Sequence, residues 1–595
     1  MLDISILSEL TADTCAAVTD RRDAAVLLRT IDEAHLFLVA LDDERASFRY
    51  HHLVRQMLRT ELRTRDRTRE QTLQLRAGEW FETAGDTRRA VRHFLAANQA
   101  DRALALLRHD RVVADYMHNP ELPPALDLSL IDAEVLTDTP DRLLGLASDL
   151  LVTGDVAHGG QYLELLERVQ SSIAPESRLA AQVAVVRSFH AMLVGQAQAA
   201  VREGLAAWAI RGETQLADDT VSSLQATLVR AYTWLEDFAA VDRVVAIAAA
   251  TPSQLPESFE LVLAAGAQAL AWFESGHLAK AADAAMAADT AARRPGFGRH
   301  FFAVDHLRTL AGLALERRDL DTAEQLTEQV LSISEHRRPS SEFLALLQRA
   351  RIWAARGQTR EALTTVEAAR PVLAGTRSEL LARADELEAL LRLQLGDRHA
   401  PAELAMRLPA ARQALLLARA ALATGDPQAA QEQLQAPSLA GELTPRRALV
   451  RQILLAAAAI ERGDPTAAAI VASAVEVARQ EGFCHTVVTT APQVTSYLIE
   501  QAGPDPFVQR LIEAALNVRA VQQHSPQAHS GIIEPLTTAE LRVLKLLPTS
   551  SYQHIAATYF ISHHTVKAHL RSIYRKLGVT SRSEAIGRAV DLQLL

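Results

Sequence analysis

The stretch Ile561-Ser562-His563-His564-Thr565-Val566-Lys567-Ala568-His569-Leu570-Arg571-Ser572-Ile573-Tyr574-Arg575-Lys576-Leu577-Gly578-Val579 carries two patterns at once. Val566, Leu570, Ile573 and Leu577 fall at i, i+4, i+7 and i+11, an apolar stripe on a helix that must pack against other helices. The opposite stripe is polar and cationic, with His564, Lys567, Ala568, Arg571 and Arg575. Ser562 can start the helix, because its hydroxyl accepts a hydrogen bond from an otherwise unpaired amide of the first turn. Small Ala568 lets a backbone approach a groove floor, while Lys567 and Arg571 can reach guanine acceptors or phosphate oxygens. From His563 to Arg582 there are five Lys or Arg and no Asp or Glu.

The residues before this stretch supply its support. Thr537 and Glu540 form a T-x-x-E capping box for a helix whose apolar face is Leu541, Val543, Leu544 and Leu547. Pro548 ends that helix, and Thr549-Ser550-Ser551 makes the turn. A short second helix turns Ile555, Ala556 and Tyr559 inward, and a tight turn at Phe560-Ile561 leads to the reading helix. Arg582 to Leu592 closes a four-helix, helix-turn-helix unit. Pro535 to Leu595 holds eight Lys or Arg against three Asp or Glu, a net of +5, whereas the whole chain is −10 and the remainder therefore −15. A basic module on an acidic body suits phosphate binding and discourages adhesion to DNA elsewhere. The plainer alternative is a four-helix cap whose basic face is only solvated.

Through L-T-x-x-E-L, I-A and I-S-x-x-T-V-K-x-H-L-x-x-I-Y-R-K-L-G-V, residues 534–595 resemble the C-terminal DNA-binding domain of LuxR-type transcription regulators. The resemblance implies that Thr565, Lys567 and Arg571 contact double-stranded promoter DNA, and that the fourth helix contributes to a homodimer on DNA. With the reading face above, the expected contact set is Ser562, His564, Thr565, Lys567, Ala568, Arg571, Arg575 and Lys576. Two positions depart from the family pattern. Pro548-Thr549-Ser550-Ser551 replaces the usual Gly between the first two helices, and Tyr559 replaces the usual second-helix Leu. Neither lies on the reading face.

At 595 residues the chain is several domains long, and 49% apolar with only 5% aromatic residues it points to Ala- and Leu-rich helices. Met1-Leu2-Asp3 does not open a signal peptide, and the most apolar run, Ile453 to Ile460, is stopped by Glu461 and Arg462. Cys15 and Cys484 are too few for a disulfide framework and form no C-x-x-C. A soluble cytoplasmic protein without membrane contact is expected.

Between the ends, helical segments break at Gly154-Asp155, Gly195-Gln196, Glu236-Asp237, Gly276-His277, Arg318-Asp319, Gly357-Gln358 and Gly396-Asp397, with successive intervals of 41, 41, 40, 42, 39 and 39. Gly425-Asp426 and Gly463-Asp464 follow at 29 and 38. This regularity marks repeats. Gly takes the left-handed conformation that ends one helix, and Asp caps the next. Stacked antiparallel helix pairs make an α-solenoid, similar to tetratricopeptide repeats though longer in period. Its concave face suits a peptide, protein or small effector. Trp208, Trp234, Trp272 and Trp353 are expected to be core residues.

Residues 1–75 read differently. Leu36-Phe37-Leu38-Val39-Ala40-Leu41 is a strand, Asp42-Asp43-Glu44 a turn and Ser47-Phe48-Arg49-Tyr50 a returning strand, with Leu53 to Leu62 helical. Helices followed by a hairpin suggest a winged helix. Arg49-Tyr50-His51-His52-Leu53, with Trp80-Phe81 and Gly85-Asp86 downstream, is similar to the segment after the nucleotide-binding domain of MalT-like regulators, large LuxR-type proteins with an NTPase switch. The chain has no G-x-x-x-x-G-K-[ST] loop to cradle phosphates, so no cofactor, nucleotide hydrolysis or other enzyme activity is expected. A natural derivative that lost its switch and a gene start placed too late both fit. Eight Arg against three acids from Arg49 to Arg76 leave a second DNA-binding face open, against the plainer reading of a solvated helix. His51-His52 and His563-His564 with His569 lack the converging partners of a metal site.

The expected architecture is mainly α. A winged-helix-like segment (1–75) precedes a TPR-like array (76–515), a polar linker (516–533, with Val521 to Gly531 poorly helical) and the helix-turn-helix domain (534–595). The expected function is a sequence-specific transcription regulator with a sensing or partner-binding array. A solenoid adaptor with a non-reading module and a truncated ATP-dependent switch are its rivals.

Overall fold

The computed structural model describes residues 1–106, 139–524 and 536–577 apart from short gaps (35–36, 42–46, 170–172, 215, 251–260, 294–299, 336, 442, 502, 548–549, 551, 553–554, 557–558 and 560–562), and beyond these 579, 582, 585 and 589. Two compact units divide it: Met1–Ala354 with Thr359–Leu511, and Ala355–Gln358 with Ile512–Leu595.

The first unit opens with β1 (Leu10–Thr11), α1 (Ala12–Thr19), α2 (Ala24–Glu33), β2 (Leu38–Ala40), β3 (Ser47–Tyr50) and α3 (His52–Arg65). The strands form an antiparallel sheet in the order β1-β3-β2, with Leu10 opposite Phe48 and Leu38 opposite Tyr50. Thr11 ends β1 and at once caps α1, exchanging hydrogen bonds with Thr14. Leu10, Val18, Leu28, Phe48, Tyr50 and Leu62 are buried together. The hairpin lies where the sequence places it. β1, by contrast, is two residues long and too short to show alternation.

The expected boundary at residue 75 cuts a helix. α4 (Arg67–Thr83) starts at the Asp66 cap and buries Leu73, Ala77 and Phe81. It packs against α1 on one side and the helix Thr87–Ala96 on the other, so it belongs to both the winged unit and the array.

From α4 onward, antiparallel helix pairs follow in series, the TPR-like α-solenoid. Gly154, Gly195, Glu236, Gly276, Arg318, Gly357, Gly396, Gly425 and Gly463 all have positive φ, so every break read from the sequence is a left-handed helix end. The caps follow as expected. Asp237 accepts a hydrogen bond from the Ala240 amide (2.9 Å), Asp319 from Thr322 (3.2 Å) and Asp426 from Ala429 (2.9 Å).

Successive pairs begin with α5 (Arg178–Leu193), α6 (Asp218–Leu235), α7 (Gly266–Ser275), α8 (Val304–Glu316), α9 (Pro339–Ala355), α10 (Leu381–Gln394), α11 (Ala410–Ala423) and α12 (Pro445–Glu461). These first helices make one layer, packing on one another from α5 to α8 and from α10 to α12.

The array also winds back onto itself. Arg338 donates to the carbonyls of Leu151 and Val152, the Ser378 hydroxyl donates to the Gly195 carbonyl (2.8 Å), and the Glu379 carboxylate accepts from the Ala197 amide (2.8 Å). Further along, Glu481 accepts from the Ala279 amide (3.2 Å), and Arg446 reaches the Glu316 carboxylate (2.7 Å) and the Phe273 carbonyl (3.2 Å). These partners are mostly 170 to 202 residues apart, for example 182 for Ala197 and Glu379. With repeats of about 40 residues, a winding therefore closes after about four and a half pairs.

Some of the periodic glycines therefore serve twice. A Cβ on Gly276 would lie 2.6 Å from the Arg446 amide nitrogen, whereas Gly425, also left-handed, has nothing within 4 Å. Gly425→Ala should lose roughly 1 kcal/mol from backbone strain alone, and Gly276→Ala clearly more, because the opposing atom is backbone and cannot move aside. Urea denaturation of the two variants side by side checks this ordering.

The polar linker expected at 516–533 is partly helix. Pro506–His524 is continuous, so Val521 to His524 are helical, and 525–535 lie outside the described residues.

Candidate nucleic-acid interface

In the C-terminal unit, α13 (Thr538–Leu546) and α14 (His563–Leu577) pack across a core of Val543, Leu544, Leu547, Ile555, Val566, Leu570 and Ile573, with Ala585 and Ala589 also buried. The capping box forms as the sequence predicts. The Glu540 amide donates to the Thr537 hydroxyl (3.3 Å), and the Glu540 carboxylate accepts from the Thr537 amide (2.6 Å).

The same carboxylate has a second task. Its Oε2 accepts from Lys576 Nζ at 2.9 Å, with the Lys576 and Glu540 side chains only 9% and 6% exposed. Burial raises the Glu540 carboxyl, but hydrogen bonds from Ser572, Lys576 and Thr537 outweigh this and bring it from 4.5 to about 2. Lys576, expected to touch DNA, instead ties the end of α14 to the start of α13. Its position three residues after buried Ile573, on the flank of the apolar stripe, is the signal that could have placed it inside.

The departures from the family pattern find local reasons. The Tyr559 hydroxyl donates to the Arg542 carbonyl (3.2 Å), fastening the second helix to the first as a Leu could not. Arg582 donates to the carbonyls of Leu547 and Ser550 and lies 5.6 Å from the Tyr552 ring, closing the turn after α13. Pro548 and Thr549 lie outside the described residues.

Of the expected contact residues, Lys567, Arg571 and Arg575 are exposed on α14, spaced four apart, with Val566, Leu570 and Ile573 buried on the other side. Neither Lys567 nor Arg571 makes a hydrogen bond or ion pair among the described residues. Thr565 is half-buried beside them. His564 and Ala568 lie in α14 at the expected register, and Ser562 falls outside the described residues. Of the closing helix only 582, 585 and 589 are described.

The other arginine-rich stretch is differently used. Arg63 pairs with Glu70 and Arg69 with Asp3, while Arg55 donates to the Ser5 and Ile6 carbonyls and Arg76 to that of Val18. These contacts hold the winged unit together. Among the tryptophans expected in the core, Trp234 is buried, and Trp208, Trp272 and Trp353 are half-buried.

Residues 1–70 match the MalT winged helix domain, and residues 534–589 match the domain of bacterial regulatory proteins of the luxR family. The chain is a MalT-like, LuxR-type regulator. No curated protein matches it. Among solved structures it is similar to a chain of the "APC/C hetero-tetramer Cut9-Hcn1", at 10% identity and TM-score 0.31, covering 88% of the regulator and 100% of that chain. Among the described residues of the regulator, no helix is long and apolar enough to cross a membrane.

Removing one partner of the buried pair leaves the other charge stranded. Glu540→Ala should cost roughly 3–5 kcal/mol in the C-terminal unit, against about 0.5 or less for Lys567→Ala or Arg571→Ala. Amide hydrogen exchange of α13 and α14 in the full chain reads these differences. The folded pKa of Glu540 is depressed, so its stabilisation is complete above about pH 5 and lost as pH falls from 4.5 toward 2. Glu540→Gln should flatten that acid dependence.

Proposed function

We propose that this transcription regulator reads promoter DNA in a sequence-specific way, with α14 in the major groove. The observation that carries the reading is the exposed series Lys567, Arg571 and Arg575 opposite a buried apolar stripe, within a unit whose other cation on that helix, Lys576, is held inside. Guanidinium and ammonium groups at this spacing suit guanine acceptors and phosphate oxygens. Ser562, His564, Thr565 and Ala568 complete the reading face, and the regulator docks as a homodimer on inverted half-sites. The helical array receives the signal, and the protein works in the cytoplasm without catalysing a reaction.

Genomic DNA fragments bound by the full chain should share a motif on sequencing, and the Lys567→Ala, Arg571→Ala double variant should lose that enrichment. In direct binding, each base contact removed should cost about 1–3 kcal/mol, and each phosphate contact should flatten the salt slope by about 0.9. Unchanged binding at matched salt would favour a solenoid adaptor whose C-terminal unit does not read DNA.

A further inference from the structure

β2 lies at the outer edge of the three-stranded sheet, and among the described residues it pairs with β3 alone. The register says which of its backbone groups that pairing uses. The Leu41 amide donates to the Ser47 carbonyl (2.9 Å) and the His51 amide to the Phe37 carbonyl (3.0 Å), so 37, 39 and 41 are the hydrogen-bonded positions of the antiparallel ladder. The N–H and C=O groups of Leu38 and Ala40 therefore point away from β3, off the edge of the sheet.

The side chains divide along the same alternation. Leu38 and Ala40 pack against the core of the winged unit, whereas Phe37, Val39 and Leu41 are exposed, at 60%, 40% and 46%. Leu53 and Met57, one turn apart on α3, are each 61% exposed, and the hydrogen bond from the His51 amide sets the start of α3 beside Phe37. Native proteins blunt open edges with a charge or a proline on the strand, and from Phe37 to Leu41 there is neither. Open backbone groups and an apolar outer face thus coincide on one strand.

A second copy of the same strand matches both. Two β2 strands running antiparallel about a two-fold axis at Val39 set Leu38 of each copy opposite Ala40 of the other, and each such pair exchanges two N–H···O=C bonds from groups that are otherwise open. Val39 then meets Val39 of the other copy in the closer, non-hydrogen-bonded kind of pair, and Phe37 stands across from Leu41, so every matched side chain on the outer face is apolar. A shift of one residue would set the open groups against positions already bonded to β3, which fixes the register. A peptide of other sequence could use the same backbone groups, but only a second copy supplies the matching side chains from residues of this chain.

We propose that β2 is a dimerisation edge, at which two copies of the regulator pair their β2 strands antiparallel about Val39 and join their winged units in one continuous sheet. This interface holds the copies together without DNA, and it is separate from the docking of α14 on half-sites.

The test uses the full chain without DNA. Sedimentation equilibrium over a concentration series should show a monomer–dimer equilibrium, and Val39→Lys, which opposes two like charges across the axis, should weaken it about tenfold or more. Val39 is exposed and the variant should fold, which helical circular dichroism confirms. A second variant reads the geometry directly. Val39→Cys should form a covalent dimer on mild oxidation, because the two Cβ atoms face each other at the axis, while Arg49→Cys, opposite Val39 on β3 and also exposed, and the parent with its native Cys15 and Cys484 should not. A chain that stays monomeric at every concentration would overturn the proposal, as would a dimer indifferent to Val39→Lys and not cross-linked at residue 39. The Lys567→Ala, Arg571→Ala double variant should dimerise as the parent does, so failure of this edge and failure of DNA reading are told apart.

Discussion

The left-handed residue that closes each first helix is the constraint on which the array depends. It reverses the chain tightly enough for the second helix to lie against the first, and the Asp that often follows caps the next helix without a longer loop. Repeated at regular intervals along the chain, this turn makes each pair alike, and the stacked pairs come back onto themselves, as where Glu379 meets the Ala197 amide. Glu236 and Arg318 hold positive φ without being glycine. At Glu236 the strain is offset by its two arginines, Arg412 and Arg447, which belong to a later winding.

Contacts between windings include polar ones: arginine to carbonyl, carboxylate to the free amides of a helix start, hydroxyl to carbonyl. Helix termini leave such groups unsatisfied, and in an array they face the next winding instead of water. Polar docking of this kind ties partners 170 or more residues apart with directional bonds, so it sets the register of the windings more sharply than apolar contact alone. The buried ion pairs of the array follow from the same layout.

In the C-terminal unit one carboxylate organises two helices. Glu540 caps α13 through the Thr537 amide and holds Lys576 at the end of α14. This fixes the rotation of α14 about its axis, so that the stripe Lys567, Arg571 and Arg575 faces solvent while Val566, Leu570 and Ile573 face the core. The geometry offered to a groove is thus set from behind by a pair that does not itself face solvent.

The sequence alone determined what depends on neighbours in the chain. The capping box at Thr537, the amphipathic period of α14, the hairpin around residue 42 and the nine helix breaks are local, because side-chain period and backbone conformation are written within a few residues. Tertiary structure decided what depends on distant partners. Lys576 looked like one more cation of a reading helix until Glu540, 36 residues earlier, drew it inward. β1 is too short to announce itself, and α4 crosses the expected boundary because its two faces serve different neighbours. The first part of the expected linker is helix because polar composition in Val521 to His524 does not forbid continuing a helix already begun at Pro506. Most of all, the meeting of Arg308 and Arg383 on one carboxylate, Glu274, could not be read from three positions on three separate helices. Periodicity says that these helices stack, and only the winding of the stack says which of their side chains meet.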